Sequence, residues 1–247
     1  MKSMQINLLP AGDRALVADF GNVIEEQVNN RVHSLRRWLE QQQIPGIREL
    51  LPTFRSLMVV YDPAVISYDV LCGRIRSFGD GDTATAETGR EILEIPCCYG
   101  GDRGPDLPGL SDLTGLSGEE IIRIHSGTVY KIYMLGFLPG FVYLGGLDPR
   151  IAAPRLTTPR TVIPAGSVGI GGSQTGVYPI ASPGGWRLIG STPVPFYDPG
   201  AAEPILCRAG QYIRFIPTGP DACEEIAARV REGKYQVKIV HESGKVI

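Results

Sequence analysis

The sequence predicts an α+β protein in two parts: helices on one face of an antiparallel sheet over residues 1–88, then a mainly β domain over residues 89–247. Three observations carry this expectation. Strand-like and helix-like apolar periods alternate up to Phe78. The run GDGDTATAETG, from Gly79 to Gly89, lacks any large apolar residue and has the composition of a linker. Beyond it, short apolar stretches are broken by Gly or Pro roughly every eight to twelve residues, the pattern of a β-barrel or sandwich.

The elements follow in order. RALVADF, Arg14 to Phe20, reads as a strand. Asn22 with Glu25 has the form of a capping box, and Val28, Val32, Leu35 and Leu39 then recur at helical spacing up to Gln43. IRELLPTF and SLMVVYD read as two further strands, and Ser67 can cap a helix over YDVLCGRIRSF that Gly79 ends. The order strand, helix, strand, strand, helix suggests a ferredoxin-like sandwich. In the second part EILEIPCCY is a strand, and a loop leads to Ser117, which with Glu120 makes a capping box for a short helix ending near Gly127. A final helix around CEEIAARVREG precedes a strand-like YQVKIVHE.

Lys and Arg total 24 against 26 Asp and Glu, so no polybasic surface for nucleic acid or anionic lipid is advertised. Leu8 and Leu9 before Pro10 fall short of a signal peptide or membrane span, and the expected location is cytoplasmic. Five scattered cysteines argue for reduced thiols rather than a disulfide framework, and three isolated histidines make no metal site.

The glycine-rich stretch GIGGSQTGVYPIASPGGW, Gly169 to Trp186, invites a test for phosphate binding. Gly171 and Gly176 have the P-loop gap, but Val177 and Tyr178 stand where Lys and Ser or Thr are needed. A dinucleotide fingerprint fails too, because the third glycine is out of register and no long helix follows. The glycines then serve positive-φ turns and close backbone approach, while Gln174, Thr175, Tyr178, Ser182, Trp186 and Arg187 suit a pocket with amides, hydroxyls and an aromatic wall. Arg155 and Arg160 each follow a proline and read either as solvated cations or as anchors for a carboxylate or phosphate. His33 lies off its helix's apolar stripe and His241 in the tail, so both are expected in solvent. His125 closes the capped helix, where the dipole favours imidazolium; it reads as a dipole partner or as a proton-transfer group. Ser167 in PAGSVG comes near a nucleophile elbow without matching it. In YMLGFLPGFVYLGGL, Pro139 and Gly140 break the strand, so Phe137 or Phe141 can face a groove.

The blocks EIPCCYGGDRGPDL, His125, GFLPGFVYLGGL, PRLTTPR and IPAGSVGIGGSQTGVYPIASPGGWRLIGSTP together resemble the family of the 5-oxoprolinase B subunit, also known as KipI or the first allophanate hydrolase subunit. The resemblance is specific from about Tyr99 to Pro217. It implies an N-terminal α+β domain followed by a cyclophilin-like barrel. It also implies ATP and two partners, the C and A subunits of 5-oxoprolinase, with which 5-oxoproline is opened to L-glutamate; the B and C pair activates the lactam before the third partner opens the ring. The chain alone is then expected to be inactive. Matched by motif, the catalytic candidates are His125, Arg155 and Arg160, and the substrate-binding candidates are Phe137, Pro139, Gln174, Tyr178 and Trp186. Two other readings stay open: a carboxyltransferase-like or allophanate-hydrolase-related protein that binds an amide, and an inhibitor gripping a histidine kinase through Phe137, Phe141 and Trp186. Neither a P-loop nor a kinase motif set is present, so the nucleotide site is expected on a partner or shared with it. The segment beyond Pro217 exceeds a minimal barrel and suggests partner contact.

Overall fold

The computed structural model describes residues 6–79 and 90–242, so most of the expected linker, Asp80 to Gly89, lies outside the described residues. By internal contacts the chain separates into two compact units, Met1–Ala86 and Glu87–Ile247.

The first unit contains β1 (Asn7–Pro10), β2 (Ala15–Asp19), α1 (Glu26–Gln42), β3 (Ile47–Pro52), β4 (Ser56–Tyr61) and α2 (Tyr68–Arg76). Its four-stranded sheet runs β1-β2-β4-β3, antiparallel throughout. Strand alternation buries Leu16, Ala18, Leu57, Val59 and Tyr61 on one face. Val28, Val32, Leu35 and Leu39 of α1 and Leu71, Cys72 and Ile75 of α2 complete a single core with them, so both helices cover the same face. β1 was not expected, because a dipeptide of leucines before a proline carries no periodicity; Pro10 is tolerated on an edge strand.

Two local expectations are corrected. α1 begins at Glu26 with Glu25 as an N-cap whose side chain makes no cap hydrogen bond, so Asn22 caps nothing. Val23 and Ile24 are exposed, so little apolar burial favours an earlier turn. His33 is buried rather than solvated, since the buried face of α1 is wide enough to take in Asn29, His33 and Ser34. Asn29 shows what such a residue does: its Nδ2 donates to the carbonyls of Thr53 and Phe54 at 3.1 and 3.3 Å and pins α1 to the β3–β4 turn. At α2 the Ser67 hydroxyl accepts from the Val70 N–H, as expected.

The second unit holds β5 (Arg90–Tyr99), α3 (Leu107–Thr114), α4 (Gly118–Ser126), β6 (Val129–Leu135), β7 (Val142–Gly145), β8 (Arg160–Ile163), β9 (Ser167–Gly171), β10 (Gln174–Val177), β11 (Ser182–Gly184), β12 (Arg187–Ser191), β13 (Tyr212–Pro217), α5 (Pro220–Arg231) and β14 (Lys238–Glu242). Strands β12-β9-β10-β7-β6-β13-β5 form a ring closed by β12 on β5. The barrel is mixed because β13 runs parallel to β5. β8 and β11 pair apart from it as a two-stranded sheet. Ile95, Tyr130, Ile132, Val142, Leu144, Val168, Ile170, Val177, Ile213 and Phe215 fill the interior. The capping box of Ser117 and Glu120 on α4 is present.

The loop expected before Ser117 contains α3, whose Pro108 sits in the first turn, where its missing N–H costs nothing. The tail is structural as well. β5 gives β12 only its end, Cys98 and Tyr99, and β14 takes the same edge from Arg90 to Glu94. Glu94 meets Lys238 of β14 at 2.8 Å and Arg214 of β13 at 3.6 Å. Among the described residues no helix is long and apolar enough to cross a membrane.

A chain ending at Gly233, which lacks β14, leaves half of β5 with an open edge. It is expected to melt roughly 4–8 °C lower in the second unit, with the first unit's transition unmoved, measured by calorimetry. An unchanged profile would mean that β14 contributes nothing to the barrel.

Candidate functional site

The outer face of the β9–β10 ladder is built mostly from glycine. Gly169 faces Gly176 across the ladder and Gly171 faces Gln174, while Val168, Ile170, Thr175 and Val177 point into the barrel. Trp186 lies on this floor. A Cβ at Gly171 would stand 2.4 Å from indole Cδ1 and Nε1, one at Gly176 would stand 3.0 Å from Cζ3, and one at Gly169 would stand 3.2 Å from the Trp186 Cβ. Of the glycines from Gly169 to Gly185 only Gly172, at the β9–β10 turn, has a positive φ, of 66°. Of the two expected uses, positive-φ turns and close backbone approach, the second therefore accounts for Gly169, Gly171 and Gly176, and the first for Gly172.

Trp186 is the centre of an aromatic cluster with Phe141, Tyr143 and Tyr178, at ring-centroid distances of 5.5, 6.2 and 6.3 Å, all edge-on. Ile163 and Leu188 complete it. Burial raises the Tyr178 hydroxyl's pKa, opposed by a hydrogen bond from the Trp186 backbone and by the charges of Arg155 and Arg160. Tyr143 is raised by burial too, again opposed by Arg155.

The β6–β7 connection reaches this cluster from the side. Gly140 turns it with φ 80°, where a Cβ would meet the Phe196 carbonyl oxygen at 2.6 Å. Phe137 also has positive φ, 69°, a conformation that disfavours a side chain by about 1–2 kcal/mol. The residue is 62% exposed, and its ring rests edge-on against Phe141 at 5.6 Å. Pro139 is exposed beside it, whereas Phe141 and Trp186 are buried, so only Phe137 of the three aromatic anchors is open to a partner.

The two arginines differ. Arg155 is exposed, with its guanidinium carbon 5.9 Å from the Trp186 ring centre, a cation–π contact, and its N–H groups have no acceptor among the described residues. Arg160 is committed at one end: Nη1 and Nη2 donate to Asp106 at 2.9 and 2.7 Å. Asp106 was not singled out from sequence; it lies 54 residues away and only the fold joins them.

Gln174 is opposite Gly171, the residue under the pyrrole edge of Trp186, and its Nε2 is buried with no acceptor among the described residues. Ser182, opposite Ile163 in the β8–β11 pair, has an unpartnered buried hydroxyl. Unmet groups of this kind cost about 1–3 kcal/mol each unless a solvent or ligand atom meets them. Ser167 is buried within β9, away from any nucleophile's exposure.

His125 is placed otherwise than expected. It is fully buried, stacked on Phe215 at 4.8 Å, and both ring nitrogens are taken. The Thr175 hydroxyl spends its proton on the Gly169 carbonyl at 2.9 Å, so it accepts from His125 Nε2 at 2.9 Å. Nδ1 then accepts from the Tyr99 hydroxyl at 2.7 Å. Burial lowers the imidazole pKa to about 3, so the ring is neutral and the helix-end imidazolium is excluded. Its chemistry is that of a brace inside the barrel, one face behind the glycine floor.

Residues 6–207 match the family described as carboxyltransferase domain, subdomain C and D. The chain is 47% identical over 215 residues to a Bacillus subtilis (strain 168) protein named as the B subunit of 5-oxoprolinase, across 83% of this chain and 90% of that one. A protein of the same name from Escherichia coli O157:H7 is 38% identical over 213 residues, across 86% and 96%. Kluyveromyces lactis urea carboxylase shares the fold, with a TM-score of 0.77 over 96% of this chain and 24% of that one, at 20% identity.

Gly171→Ala is expected to lift the indole and destabilise the second unit by about 1–3 kcal/mol, with a shift in Trp186 emission read in a Trp38→Phe background. Unmoved emission and stability would contradict the glycine floor. For His125 the folded pKa lies below the unfolded value, so its contribution to stability is complete above about pH 6.5 and shrinks as pH falls towards 3. His125→Gln can keep a donor to Thr175 and an acceptor for Tyr99 without titrating. Between pH 7 and pH 4.5 the variant is expected to lose about 2–3 kcal/mol less stability than the parent in denaturant titrations.

Proposed function

We propose that this chain, which belongs to the family of the carboxyltransferase domain, subdomain C and D, is the B subunit of an ATP-dependent 5-oxoprolinase, a cytoplasmic assembly that opens 5-oxoproline to L-glutamate with the C and A subunits. The two relatives that carry the 5-oxoprolinase B name, at 47% and 38% identity, support this reading. So does one feature of the molecule above the others: the buried Gln174 amide nitrogen without an acceptor, beside the indole over which Arg155 sits.

5-Oxoproline offers what these groups lack. Its planar ring amide carries a carbonyl oxygen for Gln174 Nε2, and the two oxygens of its carboxylate can be shared between the Arg155 guanidinium and a second cation beside the cluster. Tyr178 and Trp186 supply a rigid apolar wall, and Phe137 with Pro139 covers the ring from the β6–β7 connection. His125 holds the barrel wall behind this surface and carries no proton in the reaction. The amide is oriented here for activation with the C partner, and ring opening belongs to the A partner.

The glycine stretch does not fit a nucleotide. Its strand backbone is spent on the β9–β10 and β9–β12 ladders, and Trp186 occupies the face a phosphate would approach. ATP is accordingly assigned to one of the partners, and the chain alone is inactive. The finer fold reading goes with this proposal: a ferredoxin-like unit to residue 88, in which β1 fills the edge beside β2, and a cyclophilin-like barrel from residue 89. Inhibition of a histidine kinase is the weaker reading, because Phe137 is its one exposed anchor.

Mixing the purified chain with the C and A partners is expected to give glutamate from 5-oxoproline and ATP, and omitting the chain to abolish it. Equal glutamate without the chain would overturn the assignment. Arg155→Ala is expected to raise the KM for 5-oxoproline roughly tenfold to a hundredfold, with the melting temperature unchanged.

A further inference from the structure

We infer that Asp106 is a positioning residue that fixes the Arg160 guanidinium so that its unused side edge receives the carboxylate of the ligand; the inference rests on the 5-oxoprolinase reading of this site. Asp106 is the N-cap of α3, yet its carboxylate makes no hydrogen bond to that helix, the ordinary role of an aspartate there. It turns instead to the barrel. Oδ2 accepts from the Leu188 N–H at 2.7 Å, and the Asp106 N–H donates to the Leu188 carbonyl at 3.0 Å. Leu188 lies at the irregularity in β12 where the register against β9 shifts, so Asp106 supplies the acceptor for its N–H. A Cβ at Gly104 would stand 2.1 Å from the Ile189 carbonyl oxygen, so this loop lies directly on the same segment.

The carboxylate thus anchored grips Arg160 end-on, through Nη1 and Nη2. A guanidinium has a second fork, made by Nε–H and the neighbouring Nη–H, and here that edge has no acceptor among the described residues. Arg160 is opposite Gly184 in the β8–β11 pair, two residues from Trp186, and its side chain is 30% exposed. Its charge is felt at the Tyr178 hydroxyl. A Cβ at Gly184 would stand 2.5 Å from the Tyr178 hydroxyl, so Arg160 is held next to the aromatic cluster with its plane fixed by Asp106, and the chemistry the second fork fits is a planar oxyanion taken side-on. Because Asp106 offsets the charge, recognition there comes from directed hydrogen bonds rather than from net attraction.

The test is side-chain NMR of the Arg160 Nε–H signal, assigned by its loss in Arg160→Lys, together with kinetics of the reconstituted complex. 5-Oxoproline is expected to shift that signal in the parent chain, and 2-pyrrolidinone, the same lactam without the carboxylate, to leave it unmoved. Asp106→Asn is expected to abolish the shift and raise the KM roughly tenfold to a hundredfold with kcat little changed, and Arg160→Lys to add no further loss to it. A parent signal indifferent to 5-oxoproline, or an Asp106→Asn variant with lowered melting temperature but parental KM, would overturn the inference. A clear shift in a chain that supports no turnover with its partners would sink the 5-oxoprolinase reading and leave the carboxylate edge standing.

Discussion

The indole of Trp186 lying on bare backbone is the contact on which the rest of this site depends. Gly169, Gly171 and Gly176 leave no atoms where an ordinary strand would raise side chains, so the ring packs against the ladder itself. That packing costs the barrel little, because the inward residues Val168, Ile170 and Val177 still fill its core. From the seated ring follow the edge-on contacts of Phe141, Tyr143 and Tyr178 and the place of Arg155.

Behind the floor a polar chain runs through the barrel interior, from Tyr99 through His125 and Thr175 to the Gly169 carbonyl. Every member is satisfied, so the chain rigidifies the wall instead of weakening it. The contrast with the outer face is informative. Inside, each buried polar atom of this chain has its partner; outside, Gln174 Nε2 and the Ser182 hydroxyl have none. Strain follows the same division, since Phe137 holds a left-handed conformation at the edge of the cluster.

What could be read from sequence is what local periodicity encodes. The stripe of Val28, Val32, Leu35 and Leu39, the Ser67 cap, and the Ser117 and Glu120 capping box each fall within one element and are found where the pattern puts them. α3 escaped because LPGLSDLT pairs a proline and a glycine with only two turns, and its stability comes from packing rather than propensity. The site was legible as a list and not as an arrangement. Gln174 and Trp186 share one stretch, but Asp106 meets Arg160 only through the fold, and His125 looks polar until its burial is known. The glycines were ambiguous for a physical reason: a missing side chain serves a turn and a ring equally well, and the sequence does not say which.

The central claim is that the Gln174 amide is kept at a cost to the free protein because a ligand uses it. Gln174→Leu, of similar size and without the amide, tests this by melting temperature and by glutamate formation in the reconstituted complex. The claim expects a melting temperature equal to or above the parent's together with a large loss of turnover on 5-oxoproline. A lowered melting temperature with parental turnover would contradict it, and would make Gln174 a structural residue of the barrel wall.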